Sequence, residues 1–144
     1  MKQKPIRCPY CGSTAILKDA SYVYGSKSKG GKVYVCSRYP ECNSYVGVHP
    51  GTNIAKGTLA DKQLRFKRIQ AHQTFDQIWK NHILSKSDAY RWIADKFCLT
   101  AKEAHIGEFD LYMCEQLICE SMKILRNNHI PLCLLYTSDA ADDL

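Results

Sequence analysis

Two cysteine-bearing turns decide the fold of this chain: Cys8-Pro-Tyr-Cys-Gly12 and Val33-Tyr-Val-Cys-Ser-Arg-Tyr-Pro-Glu-Cys42. Zinc favours four soft ligands in a tetrahedron, and a CxxC turn supplies two thiolates from one tight loop. Gly12 can take the positive φ that the chain needs as it leaves the metal. The residues between the two turns suit a β-hairpin that brings them together. We therefore predict one structural zinc ion held by Cys8, Cys11, Cys36 and Cys42.

The predicted zinc site is closed. Four protein ligands leave no open coordination position for water or a substrate, which is the arrangement of structural rather than catalytic zinc. The sequence shows no pairing of a nucleophile with a base, so we predict that the protein is not an enzyme. His49 follows the second turn closely enough to be an alternative ligand.

Length and composition bound the remaining possibilities. The chain has 144 residues and a mean hydropathy of −0.34, which is typical of a water-soluble domain of ordinary size or two very small ones. It contains no run of about eighteen apolar residues and no apolar N-terminal segment of the secretory type. We therefore predict a cytoplasmic protein without membrane contact, in which closely spaced cysteines bind metal more often than they form disulfides.

Positive charge is concentrated in the first part of the chain. Residues 1–57 contain nine lysines and arginines against two acidic residues, a formal charge of +7. Four thiolates with one Zn²⁺ add about −2 and leave this part basic. A basic surface favours polyanions, nucleic acids first among them. The alternative is that the charge only keeps the protein soluble.

The chain divides into two parts by its pattern of apolar residues. Residues 1–52 are rich in cysteine, glycine and tyrosine, with period-two alternation that predicts strands over 21–24, 32–36 and 44–48 and a flexible basic loop over 25–31. Residues 53–130 have a helical period instead. The predicted fold class is therefore α+β: a four-cysteine zinc ribbon with a small antiparallel sheet, followed by a small domain of three to four helices.

Capping signals place the helices. Thr58 is predicted to cap a helix from Leu59 to about Lys80. Further caps are predicted at Ser87, for a helix ending at Phe97, and at Asp110, for a helix over 111–126. The segment 100–109 is predicted to contain a helical turn ended by Gly107.

The last residues, 131–144, are predicted to be a non-native tail. From Cys133 to Asp143 the sequence is the translation, in one frame, of a commonly used transposon sequencing adapter. This tail therefore carries no information about the native fold, and we expect the native C-terminus to be missing.

The two cysteine turns and the aromatic strand over 33–36 resemble the C-terminal zinc ribbons of bacterial type I DNA topoisomerases. This resemblance implies a zinc-ribbon fold and contact with single-stranded DNA. Over residues 6–126 the chain also resembles a small phage and bacterial family described only as zinc-finger-containing. The motifs that carry this second resemblance are CPYCG, SYVYG (21–25), YVG (45–47), GTN (51–53), GTLAD (57–61) and HIG (105–107). It implies the architecture but no activity.

Tyrosines and basic residues alternate in the ribbon, where six of the nine tyrosines lie. Bases of single strands stack on aromatic rings while cations follow the phosphates. We therefore predict a nucleic-acid-binding protein, most readily for single-stranded DNA. The alternative is that the rings only cover a small core. The predicted contacts are Lys27, Lys29, Lys32, Arg38, Tyr39, Arg65 and Arg68, with Tyr39 and the lysines of the hairpin expected to be exposed.

Two other interpretations of the sequence stay open. The first is a protein–protein interaction adaptor of phage or mobile-element origin, in which zinc stiffens a docking platform. The second is a further metal site in the helical part. Its candidate ligands are Cys98, His105, Cys114 and Cys119.

Overall fold

The computed structural model describes residues 5–131, so most of the predicted non-native tail lies outside the described residues. The chain forms two compact units, the first extending to Gln63 and the second beginning at Leu64. The first contains a three-stranded antiparallel sheet and the second is helical, which confirms the predicted α+β class. None of the helices in the described part is long and apolar enough to cross a membrane.

The sheet of the first unit has the order β1 (Ala15–Asp19), β2 (Lys32–Cys36), β3 (Tyr45–Gly47). Because β2 is central, its side chains alternate between two covered faces. On one face Val33 and Val35 are buried against Ala20. On the other face Cys36 belongs to a second cluster of buried apolar residues. Full burial of a valine side chain contributes about 1.5–3 kcal/mol, so the face with Val33 and Val35 helps to hold this small unit together.

The predicted strand over 21–24 is wrong. Ser21–Tyr24 form a short helix, α1, which a 3₁₀ turn over Gly25–Lys27 continues, and the first strand is Ala15–Asp19 instead. Asp19 ends that strand because its carboxylate accepts a hydrogen bond of 2.9 Å from the backbone N–H of Ser21. The alternating tyrosines favour a strand locally, but Val23 packs against the buried valines of β2. Tertiary packing therefore overrides the local preference.

The first long helix begins three residues later than predicted. Helix α2 spans Lys62–Lys80 and is not capped by Thr58. Ala60 cannot be helical because it forms a bridge with Tyr45, in which each backbone N–H donates to the other's carbonyl oxygen at 3.1 Å. Another bridge joins Val48 to Ala55. The chain thus returns along the edge of β3, and the ribbon unit extends past the predicted boundary at residue 52.

The second unit is built on α2 together with α3 (Lys86–Lys96) and α4 (Leu111–Asn127). A 3₁₀ turn over Ile106–Glu108 contains Gly107, which therefore lies within the predicted turn rather than ending it. The buried apolar residues of this unit come from all these segments. They are Leu64, Ala71, Phe75, Ile78, Ala89, Ile93, Ala104, Ile106, Phe109, Cys114, Leu117 and Leu125.

Side-chain caps determine where α3 and α4 begin. The prediction for α4 is confirmed, because the Asp110 carboxylate accepts a hydrogen bond of 2.8 Å from the backbone N–H of Met113. The prediction for α3 is wrong by two residues. Its cap is Ser85, whose hydroxyl accepts from the N–H of Asp88 at 3.1 Å, while Ser87 lies within the helix.

The two serines at the start of α3 provide a matched test. Ser85→Ala should lower the free energy of unfolding by about 1 kcal/mol, because it removes an N-cap acceptor. Ser87→Ala should change it by less than half as much, because Ser87 is exposed and inside the first turn. Urea unfolding of zinc-saturated protein, followed by far-UV circular dichroism, measures both. A larger loss for Ser87→Ala would contradict this assignment of the cap.

Candidate metal centre and nucleic-acid interface

The first metal-binding turn is a tight loop closed by backbone hydrogen bonds. The N–H of Gly12 donates to the carbonyl oxygen of Cys8 at 2.9 Å, and the N–H of Cys8 donates to that of Ser13 at 2.8 Å. Gly12 has a φ of 77°, the left-handed value that favours glycine. The turn thereby directs Cys8 and Cys11 towards the same point.

The second turn begins at the end of β2. The N–H of Tyr39 donates to the carbonyl oxygen of Cys36 at 2.9 Å, and the N–H of Cys42 donates to that of Arg38 at 3.0 Å. The N–H of Cys36 donates to the carbonyl oxygen of Ser44 at 3.0 Å, which returns the chain to the sheet. These bonds hold Cys36 and Cys42 at opposite ends of one compact loop.

The four sulfur atoms meet as the spacing predicts. All four Sγ atoms lie within 4.8 Å of one another. Those of Cys11 and Cys36 are 3.4 Å apart, and those of Cys8 and Cys42 are 3.5 Å apart. A tetrahedral zinc ion with Zn–S bonds of about 2.3 Å separates its sulfur ligands by about 3.8 Å. The cluster therefore fits one structural zinc ion, and four protein ligands leave no coordination position for a substrate.

A buried serine supports two of the ligands. Ser44 is fully buried, and its hydroxyl lies 3.1 Å from the Sγ of Cys8 and 3.6 Å from that of Cys42. The backbone N–H of Arg38 donates to the Sγ of Cys36 at 3.4 Å. Donors of this kind offset the negative charge of thiolates and orient them towards a metal. Sequence analysis missed Ser44, although its position two residues after the last cysteine is the available signal.

The thiols of the cluster differ in proton affinity. Hydrogen bonds from the side chain and then the backbone of Ser13 lower the pKa of Cys11 to about 6. The Ser44 hydroxyl lowers the pKa of Cys42, but burial and hydrogen bonds with the neighbouring thiols outweigh it and raise this pKa to about 12. Thiolates this close repel one another, so the fully ionised set requires a bound cation.

Four tyrosine rings form a connected row on the sheet face that contains Val33 and Val35. The ring centroids of Tyr22 and Tyr39 are 5.6 Å apart, those of Tyr39 and Tyr45 are 6.3 Å apart, and those of Tyr45 and Tyr24 are 5.7 Å apart. We call this row, together with Lys18, the tyrosine face. The ammonium group of Lys18 lies 5.5 Å from the ring centroid of Tyr22.

The ends of the tyrosine face are more accessible than its middle. Tyr22 and Tyr24 are 48% and 43% exposed. Tyr39 and Tyr45 are only half-buried and pack against the buried valines. The prediction that Tyr39 is an exposed contact is therefore corrected, because Tyr39 lies between two other rings. Its ring contacts that of the more accessible Tyr22, which sequence analysis did not select.

The basic residues predicted in the ribbon lie on its surface. Lys27 ends the 3₁₀ turn after α1, and the side chains of Lys27, Lys29 and Arg38 are exposed. Lys32 is exposed as well, but it pairs in register with Asp19 on β1. Hydrogen bonds from Ser21, with a smaller attraction from Lys32, lower the pKa of Asp19. Part of the charge of Lys32 is thus balanced within the sheet.

The two predicted basic residues of α2 differ from each other. Arg65 is half-buried. Arg68 is only 4% exposed, and its Nε donates a hydrogen bond of 3.1 Å to the carbonyl oxygen of Phe109. Arg68 is therefore not accessible to a nucleic acid, contrary to the prediction. It ties α2 to the segment before α4 because a buried guanidinium needs such acceptors.

The candidate ligands of a further metal site do not come together. Within residues 5–131 the four ribbon cysteines are the one group of three or more residues that could hold a metal ion, and His49 is not among them. Cys114 is buried, which raises the pKa of its thiol to about 11. Cys98 and Cys119 are exposed, and His105 lies with its ring 6.0 Å from that of Tyr90.

Ser44 offers a direct test of the metal centre. Ser44→Ala should weaken zinc binding by about 10- to 100-fold, because supporting hydrogen bonds to ligands have effects of this size. Ser37→Ala is the matched control, since Ser37 is an exposed serine in the same turn and should leave the affinity unchanged. Competition with a chromogenic chelator measures both constants. Equal affinities for the two variants would contradict the role assigned to Ser44.

Comparison with known families agrees with this geometry. The family described as zinc-finger-containing domain matches residues 4–124, which include the four cysteines, the sheet and most of the helical unit. No curated protein and no solved structure matches the chain, so the resemblance to topoisomerase ribbons rests on the sequence motifs. The match over most of the chain confirms the predicted zinc-finger family: the chain belongs to the zinc-finger-containing domain family.

Proposed function

We propose that this protein binds nucleic acid, preferentially single-stranded DNA, through the tyrosine face of its zinc ribbon. The observation that carries the proposal is the position of Tyr22 and Tyr24. Both rings are nearly half exposed and lie at the two ends of one aromatic row. The ammonium group of Lys18 lies 5.5 Å from the ring centroid of Tyr22. Unpaired bases stack on such rings, whereas the bases of a duplex are already stacked on one another.

Charge supports the same interpretation. Lys18 lies on β1 beside Tyr22, and Lys27 closes the turn that follows α1. Arg38 is exposed next to Tyr39 in the second metal-binding turn. Cations distributed around rings attract a phosphate backbone while the rings contact its bases. The formal charge of +7 over residues 1–57 has the sign that this role needs.

In this proposal the protein is an accessory factor without catalytic activity of its own. The four sulfur ligands surround the metal position, so zinc would stabilise the ribbon rather than activate water or a substrate. The site needs reduced thiols, and the proposed location is therefore the cytoplasm.

The second candidate is an interaction adaptor of phage or mobile-element origin that docks on a protein. The position of Ile16 supports this candidate. Ile16 is 38% exposed and pairs in register with Val35, so it lies on the same side of the sheet as the tyrosine face. A face with exposed aliphatic and aromatic groups also suits a protein partner. The two candidates differ in how strongly salt weakens binding.

Salt dependence is the first test. Labelled single- and double-stranded oligonucleotides are titrated at low and near-physiological salt. We expect tighter binding of the single strand, with a slope of log K against log salt of about −0.7 for each phosphate contacted. Lys18→Gln should make that slope less negative by about 0.7. Failure of both forms to bind at low salt would reject nucleic-acid binding and favour the adaptor.

Base stacking is the second test. Tyr22→Ala should weaken single-strand binding by about 5- to 150-fold, the equivalent of about 1–3 kcal/mol of stacking on one ring. Tyr22→Phe keeps the ring and should keep most of the affinity. The matched control is Tyr112→Ala, since Tyr112 is a tyrosine of α4 that is 66% exposed and outside the ribbon. If Tyr22→Ala binds as tightly as Tyr112→Ala, the tyrosine face is not the binding surface.

A further inference from the structure

The second metal-binding turn and the tyrosine face share one residue, Tyr39. Its backbone lies between two ligands and is held by its hydrogen bond to Cys36. Its ring contacts those of Tyr22 and Tyr45. Tyr39 therefore connects the position of the metal ligands to the position of Tyr22, one of the accessible rings of the face.

The four ligands are not equally protected from solvent. Cys11 is exposed, whereas Cys8 and Cys36 are buried. The Sγ of Cys11 lies 3.4 Å from that of Cys36, and a disulfide needs a sulfur–sulfur distance of about 2.05 Å. In the other close pair Cys8 is buried and Cys42 is partly buried, and both sulfur atoms contact the hydroxyl of Ser44. An oxidant therefore reaches Cys11 first, and the sulfur of Cys36, 3.4 Å away, is placed to react with it next.

We propose that the pair Cys11–Cys36 is a peroxide-sensitive switch that controls the tyrosine face. The thiolate of Cys11 attacks hydrogen peroxide, breaks its O–O bond and becomes a sulfenic acid, and the departing hydroxide takes up a proton to form water. The thiolate of Cys36 then attacks the sulfenic sulfur, the S–S bond forms, and a second water leaves after protonation. Two thiol groups are oxidised and one peroxide is reduced to two waters.

Formation of this disulfide removes two of the four zinc ligands and draws Cys36 towards the first turn. Cys8 and Cys42 alone form an incomplete site, so the zinc ion is released. The loop that holds Tyr39 then loses its anchor. Its ring no longer supports Tyr22, and the nucleic-acid affinity falls. The control of binding rests on the proposed function, whereas the disulfide and the release of zinc do not.

The experiment treats the zinc-loaded full chain with hydrogen peroxide. Zinc release is followed with a chromogenic chelator, the disulfide by peptide mapping, and the segment over 20–28 by hydrogen exchange. We expect a Cys11–Cys36 disulfide, release of one zinc ion and faster exchange in that segment. Single-strand binding should weaken by at least about fivefold, as loss of a stacking ring predicts. A reductant with added zinc should reverse all four changes.

Two variants make the test specific. The first variant replaces three of the four cysteines outside the cluster (Cys98→Ser, Cys119→Ser, Cys133→Ser) and keeps the buried Cys114; it should leave zinc release unchanged. Tyr39→Ala keeps all four ligands and should still bind one zinc ion, yet exchange over 20–28 should increase. Zinc retention under peroxide, or a predominant disulfide between other cysteines, would overturn the switch. Unchanged exchange in Tyr39→Ala would overturn the link through Tyr39. If no oligonucleotide binds, the proposed function fails, while the zinc, disulfide and exchange measurements still decide the switch.

Discussion

The convergence of four thiolates on one point is the constraint on which the ribbon depends. A unit of about sixty residues buries little apolar surface and is only marginally stable without a further link. The metal supplies that link because it joins the turn before β1 to the turn after β2, which are far apart in sequence. Leu59 and Val46 pack beside Cys8 and Cys36, so the ligands are also part of the apolar core. Metal binding and folding of this unit are therefore coupled.

The two faces of the sheet differ in what covers the side chains of the central strand. Side chains on one face, such as Cys36, pack with the metal-binding turns and with the segment that returns along β3. Val33 and Val35 point to the other face, where α1 and the tyrosines cover them. A face covered by partly exposed rings remains open to a ligand, whereas a face closed by a metal does not. The division is consistent with a purely structural zinc ion beside the binding surface that we propose.

The sequence predicted those features that depend on local chemistry. The cysteine spacing identifies the two turns that carry the ligands, and Asp110 identifies the start of α4, because each turn and each cap requires only neighbouring residues. The errors arise where distant segments compete with local preference. Ala60 is not in the predicted helix because its backbone pairs with that of Tyr45. Arg68 is not on the predicted basic surface because it donates to the buried carbonyl oxygen of Phe109. Neither partner is visible in the local sequence, so spacing and periodicity alone could not reveal them.

The same kind of competition shapes the tyrosine face. In a strand, Tyr22 and Tyr24 would point to the same side, since side chains alternate with a period of two. In α1 they diverge, because residues two apart in a helix do not share a face. Tyr22 therefore meets Tyr39 while Tyr24 meets Tyr45, and the four rings join into one row. The binding surface that we propose thus depends on the short helix that replaces the expected strand, and on the metal-binding turn that positions Tyr39.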